Sequence, residues 1–163
     1  MPTFIIEGPQ GLRSEARTKM MGEIASALEE AYHIPDVRIF LREHAPANVA
    51  QDGRIEAEPV RPVCFVEAPR LPGLDARRSL IEKLNGAVAR AFAGIANTDD
   101  ILILCNEYPL ELAGSGGRLQ SENPDVVAAL KDAAEQACGT GRAALPGTSP
   151  SLTAGSTPRW CGS

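Results

Sequence analysis

Residues 2–9 read PTFIIEGP, and a closely similar stretch, PVCFVEAP, stands at residues 62–69. In both stretches a proline comes first, a glutamate sixth and a second proline last, at a constant offset of 60 residues. The residues between them are largely apolar and of the kind that β-strands favour. This recurrence predicts that the chain contains one structural unit twice.

The repeat continues beyond these strands. Apolar residues recur at the spacing of one helix face, first over 20–32 and then, at the same offset, over 80–92. Ser14 and Asp75 are the predicted N-caps of these helices. Residues 36–44 align with residues 100–108 at an offset of 64 and predict a second strand in each half.

Two tandem β-α-β repeats, over 2–53 and 62–120, follow from this pattern. A crossover helix makes the two strands of each repeat parallel. The prediction is an α+β fold, with a four-stranded sheet and two helices on one face, in a single domain over 2–138. The sheet face without helices predicts an oligomer. A hairpin or linker is expected over 45–61, and a disordered tail over 139–163.

Composition limits the function classes. The net charge of −5, the pI near 5.1 and an aromatic content of 4% argue against a nucleic-acid partner. No apolar run approaches the ~20 residues of a membrane span, and no secretory signal pattern is present, so the expected location is the cytoplasm. Four cysteines and two histidines show no metal-ligand spacing, so neither a metal nor a cofactor is expected.

A proline behind the initiator Met on a β-α-β unit resembles the tautomerase superfamily, whose type is 4-oxalocrotonate tautomerase (4-OT). The first half is similar at Pro2, at Gly11-Leu12-Arg13-Ser14 and at Val37-Arg38-Ile39. Two joined units resemble fused tautomerases, malonate semialdehyde decarboxylase and cis-3-chloroacrylic acid dehalogenase; the last shares Glu107-Tyr108-Pro109 and Gly117-Arg118. The resemblance covers residues 2–120. It implies a tautomerase/MIF-like fold and a homotrimer.

The resemblance also implies the chemistry. The nitrogen of Pro2, once Met1 is removed, would act as general base or acid, and arginines would bind a small anionic carboxylate substrate and its enol oxygen. An α-amino group has an ordinary pKa of about 7.7–8.0, and burial or nearby cations lower it. The predicted reaction is a cofactor-independent keto–enol tautomerisation of a 2-oxo or 2-hydroxydienoic acid. The predicted residues are Pro2, Arg13 and Arg38 as catalytic groups, and Arg42, Arg70, Val49 and Phe40 as substrate-binding groups.

Alternatives remain open. The resemblance to the dehalogenase implies a helix His, a strand Tyr and a Glu, where this sequence has Leu28, Leu104 and Ser115. Hydration, dehalogenation or decarboxylation of a small acid on the same site are alternatives, as is a non-catalytic trimeric binding module. Since Pro62 is internal and Leu102 stands in the place of Arg38, the second half is expected to be scaffold.

Overall fold

The computed structural model describes residues 1–56 and 60–139, so the predicted tail lies almost entirely outside the described residues. The chain forms β1 (Thr3–Pro9), α1 (Ser14–Tyr32), β2 (Arg38–His44), β3 (Ala50–Gln51), β4 (Arg54–Ile55), β5 (Val63–Pro69), α2 (Leu74–Phe92), β6 (Leu102–Tyr108), β7 (Gly114–Ser115), β8 (Arg118–Leu119) and α3 (Pro124–Gly139). Short 3-10 turns lie at Pro46–Asn48, Leu110–Leu112 and Gln120–Glu122.

The four long strands form one sheet in the order β2-β1-β5-β6. β1 is parallel to β2 and β5 is parallel to β6, as the crossover helices require. The two repeats meet where β1 and β5 pair antiparallel. The predicted α+β architecture of two β-α-β repeats is therefore confirmed.

The pairing of β1 with β5 relates the two halves by an approximate two-fold axis. Ile5 lies opposite Phe65, which is its own counterpart at the offset of 60. Consequently the first residue of β1 lies near the end of β5, with Thr3 opposite Glu67. Each end of the sheet therefore combines the start of one repeat with the finish of the other.

The core lies between the sheet and the two long helices. Phe4 and Ile6 of β1 and their counterparts Cys64 and Val66 of β5 are buried against the inner faces of α1 and α2. Alternation along the strands sends the intervening side chains to the other face, which no helix covers in the described residues. This two-layer arrangement matches the predicted one.

The predicted helix caps were wrong. The N-cap positions are Arg13 and Gly73, and neither helix has a side-chain cap. Ser14 is the first residue of α1, and Asp75 lies in the first turn of α2. A carboxylate in the first turn still interacts favourably with the helix dipole, so Asp75 stabilises α2 without capping it.

The open sheet face carries its residues in rows that cross all four strands. The central row is apolar and contains Phe40, Ile5, Phe65 and Leu104. Phe40 is 50% exposed and Leu104 is 41% exposed. Exposed apolar side chains in one contiguous row are typical of a surface that another molecule covers.

Each repeat ends in a small hairpin, β3–β4 in the first and β7–β8 in the second. The first confirms the hairpin expected within 45–61, apart from residues 57–59, which are not described. After β8 the chain turns into α3, which packs against α1 and buries Ala133. The second hairpin lies at the end of the sheet where β1 begins, since Ser115 of β7 contacts Met1.

Candidate active site at the start of β1

Pro2 lies immediately before β1, and its side chain is less than 2% exposed. Its carbonyl oxygen accepts a hydrogen bond from the backbone N–H of Arg38, at 3.0 Å. This bond extends the β1–β2 ladder by one residue and fixes Pro2 against the start of β2. With Met1 in place the Pro2 nitrogen is an amide and cannot accept a proton.

Met1 is held by three groups that all come from the second half. Its amino group donates to Oε1 of Gln120 at 3.3 Å, and its carbonyl oxygen accepts from the Tyr108 hydroxyl at 3.3 Å. The Ser115 hydroxyl lies 3.7 Å from the Met1 sulfur. Gln120 is only 7% exposed. The second half, which the sequence predicts to be scaffold, therefore supplies the polar surroundings of the amino terminus.

A pocket of about 300 Å³ opens beside Met1. Its walls combine one arginine, one glutamate, several neutral polar groups and a few apolar side chains, a mixture that suits a small polar ligand. Besides Met1 it is lined by Ser115, Arg118, Leu119, Gln120, Glu122, Asn123, Pro124 and Val126.

Burial lowers the pKa of the Met1 amino group from its ordinary value, and the carboxylate of Asp36 opposes this shift. Burial raises the pKa of the Tyr108 phenol, and Glu67 acts in the same direction, against a hydrogen bond with Gln120. The site therefore favours a neutral amine and a protonated phenol side by side.

Arg38 and Arg118 are the cations at this end of the sheet that the described residues leave without an ion pair. Arg38 is exposed and shares a row of the open sheet face with Thr3 and Glu67. Arg118 starts β8 and lines the pocket. Both guanidinium groups are available for an anion.

Arg13 and Arg42 lie at the other end of the sheet from Pro2 in the same chain. The seven residues of β1 span roughly 20 Å at about 3.3 Å per residue, and Arg13 follows their far end. Arg42 pairs with Glu7 at 2.8 Å, and His44 lies 2.6 Å from the same carboxyl group. Burial opposes ionisation of Glu7, but these two hydrogen bonds hold its pKa below its ordinary value.

The remaining predicted residues are dispersed. Arg70 follows β5 at the Pro2 end, where its side chain is 82% exposed and its Nε lies 3.9 Å from Glu107. Phe40 stands in the middle of the open sheet face. Val49 borders a different pocket of about 240 Å³, next to Arg54. Within one chain, Pro2, Arg38 and Arg70 therefore lie at the same end of the sheet, whereas Arg13, Arg42 and Val49 do not.

Searches against protein-family models and curated proteins found no match. Solved structures do match. A native fused 4-OT structure is 20% identical with a TM-score of 0.66, over 74% of this chain and 98% of that chain. The F6 fused 4-OT wild type asymmetric trimer is 21% identical with a TM-score of 0.64, over 73% and 96%. This chain has the fused 4-OT fold. FG41 malonate semialdehyde decarboxylase inhibited by 3-bromopropiolate matches at 18% identity and a TM-score of 0.54, over 70% and 88%.

These identities establish the fold alone, and they confirm the predicted structural resemblance to the tautomerase superfamily. In this fused 4-OT fold, no group of three or more His, Cys, Asp or Glu side chains is arranged for a metal within the described residues. Over the same residues, no helix is long and apolar enough to cross a membrane.

The pocket beside Met1 and the pocket beside Val49 are counterparts across the approximate two-fold axis. Arg54 in the pocket near Val49 corresponds to Arg118 at the offset of 64, and Arg61 corresponds to Met1 at the offset of 60. Arg61 thus lines one pocket at the position where Met1 lines the other.

Sequence reasoning missed Gln120 and did not place Ser115 or Tyr108 beside Met1. Gln120 shows no pattern, because a lone glutamine after a short hairpin is ordinary in sequence. The signal that existed was geometric: once β1 and β5 pair antiparallel, the hairpin after β6 must lie at the start of β1. The similarity of the two repeats in sequence does not determine whether β1 and β5 pair parallel or antiparallel.

Proposed function

We propose that this chain is a cofactor-independent keto–enol tautomerase of a small 2-oxo or 2-hydroxydienoic acid. The amine of Pro2, exposed by removal of Met1, is its general base. The observation that carries this proposal is the position of Pro2, buried at the start of β1 and bonded to Met1, which lines a polar pocket. Methionine aminopeptidase accepts a small residue such as proline in second position, so Met1 is expected to be removed.

The site favours a base at neutral pH. Burial lowers the pKa of the Met1 amine at this place in the fold, and we expect the same effect on the Pro2 amine that takes its place. A neutral amine with a pKa near the working pH can take a proton from carbon or from an enol hydroxyl and return it elsewhere on the substrate. Such a reaction requires no redox step.

An anionic substrate requires cations near Pro2. Arg118 lines the pocket together with Glu122, and Arg38 lies at the same end of the sheet, opposite Thr3. Guanidinium groups bind a carboxylate through paired hydrogen bonds. Arg13 and Arg42 lie far from Pro2 in one chain, so their predicted roles require a second copy. The fused 4-OT neighbours are trimers, and a homotrimer of this chain would bring copies together.

Intact-mass measurement followed by Pro2→Ala tests the base. The mature protein is expected to lack Met1, and Pro2→Ala is expected to lower kcat/KM for enol-to-keto conversion of 2-hydroxymuconate or phenylenolpyruvate by about 10²-fold or more. Pro62→Ala is the matched control, because Pro62 is buried at the counterpart position but its nitrogen is internal. Retained Met1 would contradict the proposal and favour a non-catalytic binding module, whereas full activity in Pro2→Ala would show that the base is a group other than Pro2.

Decarboxylation of a β-carbonyl acid on the same site is a second candidate, because the structure of a malonate semialdehyde decarboxylase shares this fold. Measuring CO₂ release from malonate semialdehyde would separate it from tautomerisation. Hydration and dehalogenation are less well supported. Ser115 stands where the dehalogenase resemblance implies a Glu, and a hydroxyl group is a far weaker base than a carboxylate.

A further inference from the structure

We propose that Tyr108 donates the hydrogen bond that stabilises the enolate oxygen of the substrate, and that Gln120 orients it. This inference rests on the proposed function and adds two groups from the second half, to which the family resemblance assigns no catalytic role. It is argued from the contacts of Met1, whose atoms occupy the space next to the Pro2 nitrogen.

The carbonyl oxygen of Met1 marks where an oxygen can sit in this site. In an amide, that oxygen lies about 2.3 Å from the nitrogen, which here belongs to Pro2. The Tyr108 hydroxyl is 3.3 Å from the same oxygen. The phenol oxygen therefore lies within about 6 Å of the Pro2 nitrogen.

That distance fits proton transfer at a carbon next to a carbonyl group. The Pro2 nitrogen takes the proton, the C–H electrons form the C=C bond, and the C=O π electrons move onto oxygen. The reacting carbon must approach the nitrogen to about 3–3.5 Å, and the developing oxyanion lies one or two bonds further away. A donor within about 6 Å of the nitrogen can reach that oxygen. The prolinium then returns its proton to the enolate.

Tyr108 suits a donor role. Its hydroxyl is half-buried and points at the amino terminus, and burial together with Glu67 raises the pKa of the phenol, so the proton stays on it at neutral pH. A hydrogen-bond donor in a partly dehydrated site stabilises a developing oxyanion more than water does. Loss of one such donor commonly costs about 10²–10³ in kcat.

Gln120 suits a positioning role. It is the one buried polar side chain of the described residues, its Oε1 accepts a hydrogen bond from the Met1 amine, and it lies close enough to Tyr108 to lower the pKa of the phenol. A buried amide needs partners for all its polar atoms, so its orientation is fixed by the groups it contacts. Once Met1 is removed, the vacated contact is available to the Pro2 amine or to the substrate.

Tyr108→Phe tests the donor, with Tyr32→Phe as the matched control. Both changes remove one hydroxyl, and these are the only two tyrosines of the chain. Tyr32 is buried in the core, and its counterpart at the offset of 60 is Phe92, so this fold accepts phenylalanine there. We expect Tyr108→Phe to lower kcat by about 10²-fold with KM changed less than threefold, and Tyr32→Phe to leave both nearly unchanged.

Two further measurements separate the possible failures. If Pro2→Ala is inactive but Tyr108→Phe keeps its kcat, the base stands and the role of Tyr108 is wrong. If the wild-type protein shows no tautomerase activity, the proposed function fails, and binding of oxalate, a planar mimic of the enolate, tests the donor independently. We expect Tyr108→Phe to weaken oxalate binding about tenfold relative to Tyr32→Phe; equal affinities would overturn the assignment.

Gln120→Glu, which keeps the side-chain length, is expected to shift the acid limb of the pH profile to higher pH, because a carboxylate stabilises the protonated amine.

Discussion

Pro2 and Pro62 hold the same place in the two repeats, and both accept a backbone hydrogen bond from the neighbouring strand, at 3.0 and 3.2 Å. What separates them is covalent: the nitrogen of Pro62 is bonded to Arg61 in the chain interior, whereas loss of a single residue frees the nitrogen of Pro2. The two prolines are therefore equivalent in backbone position but differ in whether their nitrogen can become a free amine.

Asp36 gives a pH prediction at the same scale. Its carboxylate raises the pKa of the Met1 amine, against the larger lowering effect of burial, and we expect it to act in the same direction on the Pro2 amine once Met1 is removed. Asp36→Asn removes the opposing charge, so the pKa of the amine falls further and the neutral base persists to lower pH. We expect the acid limb of kcat/KM against pH to move to lower pH than in the wild-type protein.

Asp52→Asn is the control for this shift. Asp52 lies in the exposed turn between β3 and β4 with a φ of 52°, a conformation that asparagine tolerates well. The acid limb of kcat/KM against pH for Asp52→Asn should coincide with that of the wild-type protein. A profile for Asp36→Asn that moves to higher pH, or does not move, would show that the reacting amine does not sense this carboxylate.

At the scale of elements, the contact between β1 and α2 depends on a glycine. A Cβ atom at Gly8 would stand 2.8 Å from the ring of Phe92, closer than packed atoms allow. Gly8→Ala is therefore expected to lower the free energy of unfolding by about 1–3 kcal/mol, as over-packing does. Chemical denaturation measures the change, and Gly8→Ala combined with Phe92→Leu should recover part of it.

Gly22 is the matched control for Gly8. It lies within α1, and a Cβ atom there would meet nothing within 4 Å. Gly22→Ala should therefore stabilise the protein by about 0.5–1 kcal/mol through helix propensity. Equal effects of the two substitutions would contradict the close approach of Phe92 to β1.

The two long helices carry opposite charges where they face each other. Glu23 of α1 pairs with Arg90 of α2 at 2.8 Å, and Glu30 pairs with Lys83 at 2.6 Å. Positions 23 and 83, like 30 and 90, are counterparts at the offset of 60. Such exposed pairs contribute about 0–1 kcal/mol each. Their main consequence is specificity, because two copies of α1 would oppose acid to acid.

Much of this architecture is predictable because the repeat supplies an internal comparison. The offset of 60 locates β1 with β5 and α1 with α2, and alternation assigns Arg38, Phe40 and Arg42 to the open face. The helix caps were mispredicted, since Arg13 and Gly73 show no capping pattern. The partners of Met1 escaped prediction because they depend on the antiparallel meeting of two repeats, which involves contacts distant in sequence.

For the whole molecule, the open sheet face predicts assembly. Its central row exposes Phe40 and Leu104, and a charge in that row would have to be buried in any oligomer that covers it. Leu104→Arg is expected to shift the mass in light scattering from that of a trimer towards that of a monomer. Tautomerase activity should fall with it, because the arginines that a second copy supplies would be lost.

Leu74→Arg is the control for assembly. Leu74 is 65% exposed, and it starts α2 on the helix side of the sheet. We expect it to leave the trimer mass unchanged. A trimer that persists in Leu104→Arg would exclude the open sheet face as the interface.

The antiparallel meeting of β1 and β5 also limits stoichiometry. A protein built from separate, identical repeats would have one amino terminus for every repeat, and therefore a terminal amine at both ends of each paired sheet. Joining the repeats in one chain leaves a single terminus, so a trimer of this chain has three terminal amines for six equivalent positions. The other three positions carry Arg61. Under the proposed function, such a trimer therefore has three reaction centres, half the number that six separate repeats would have.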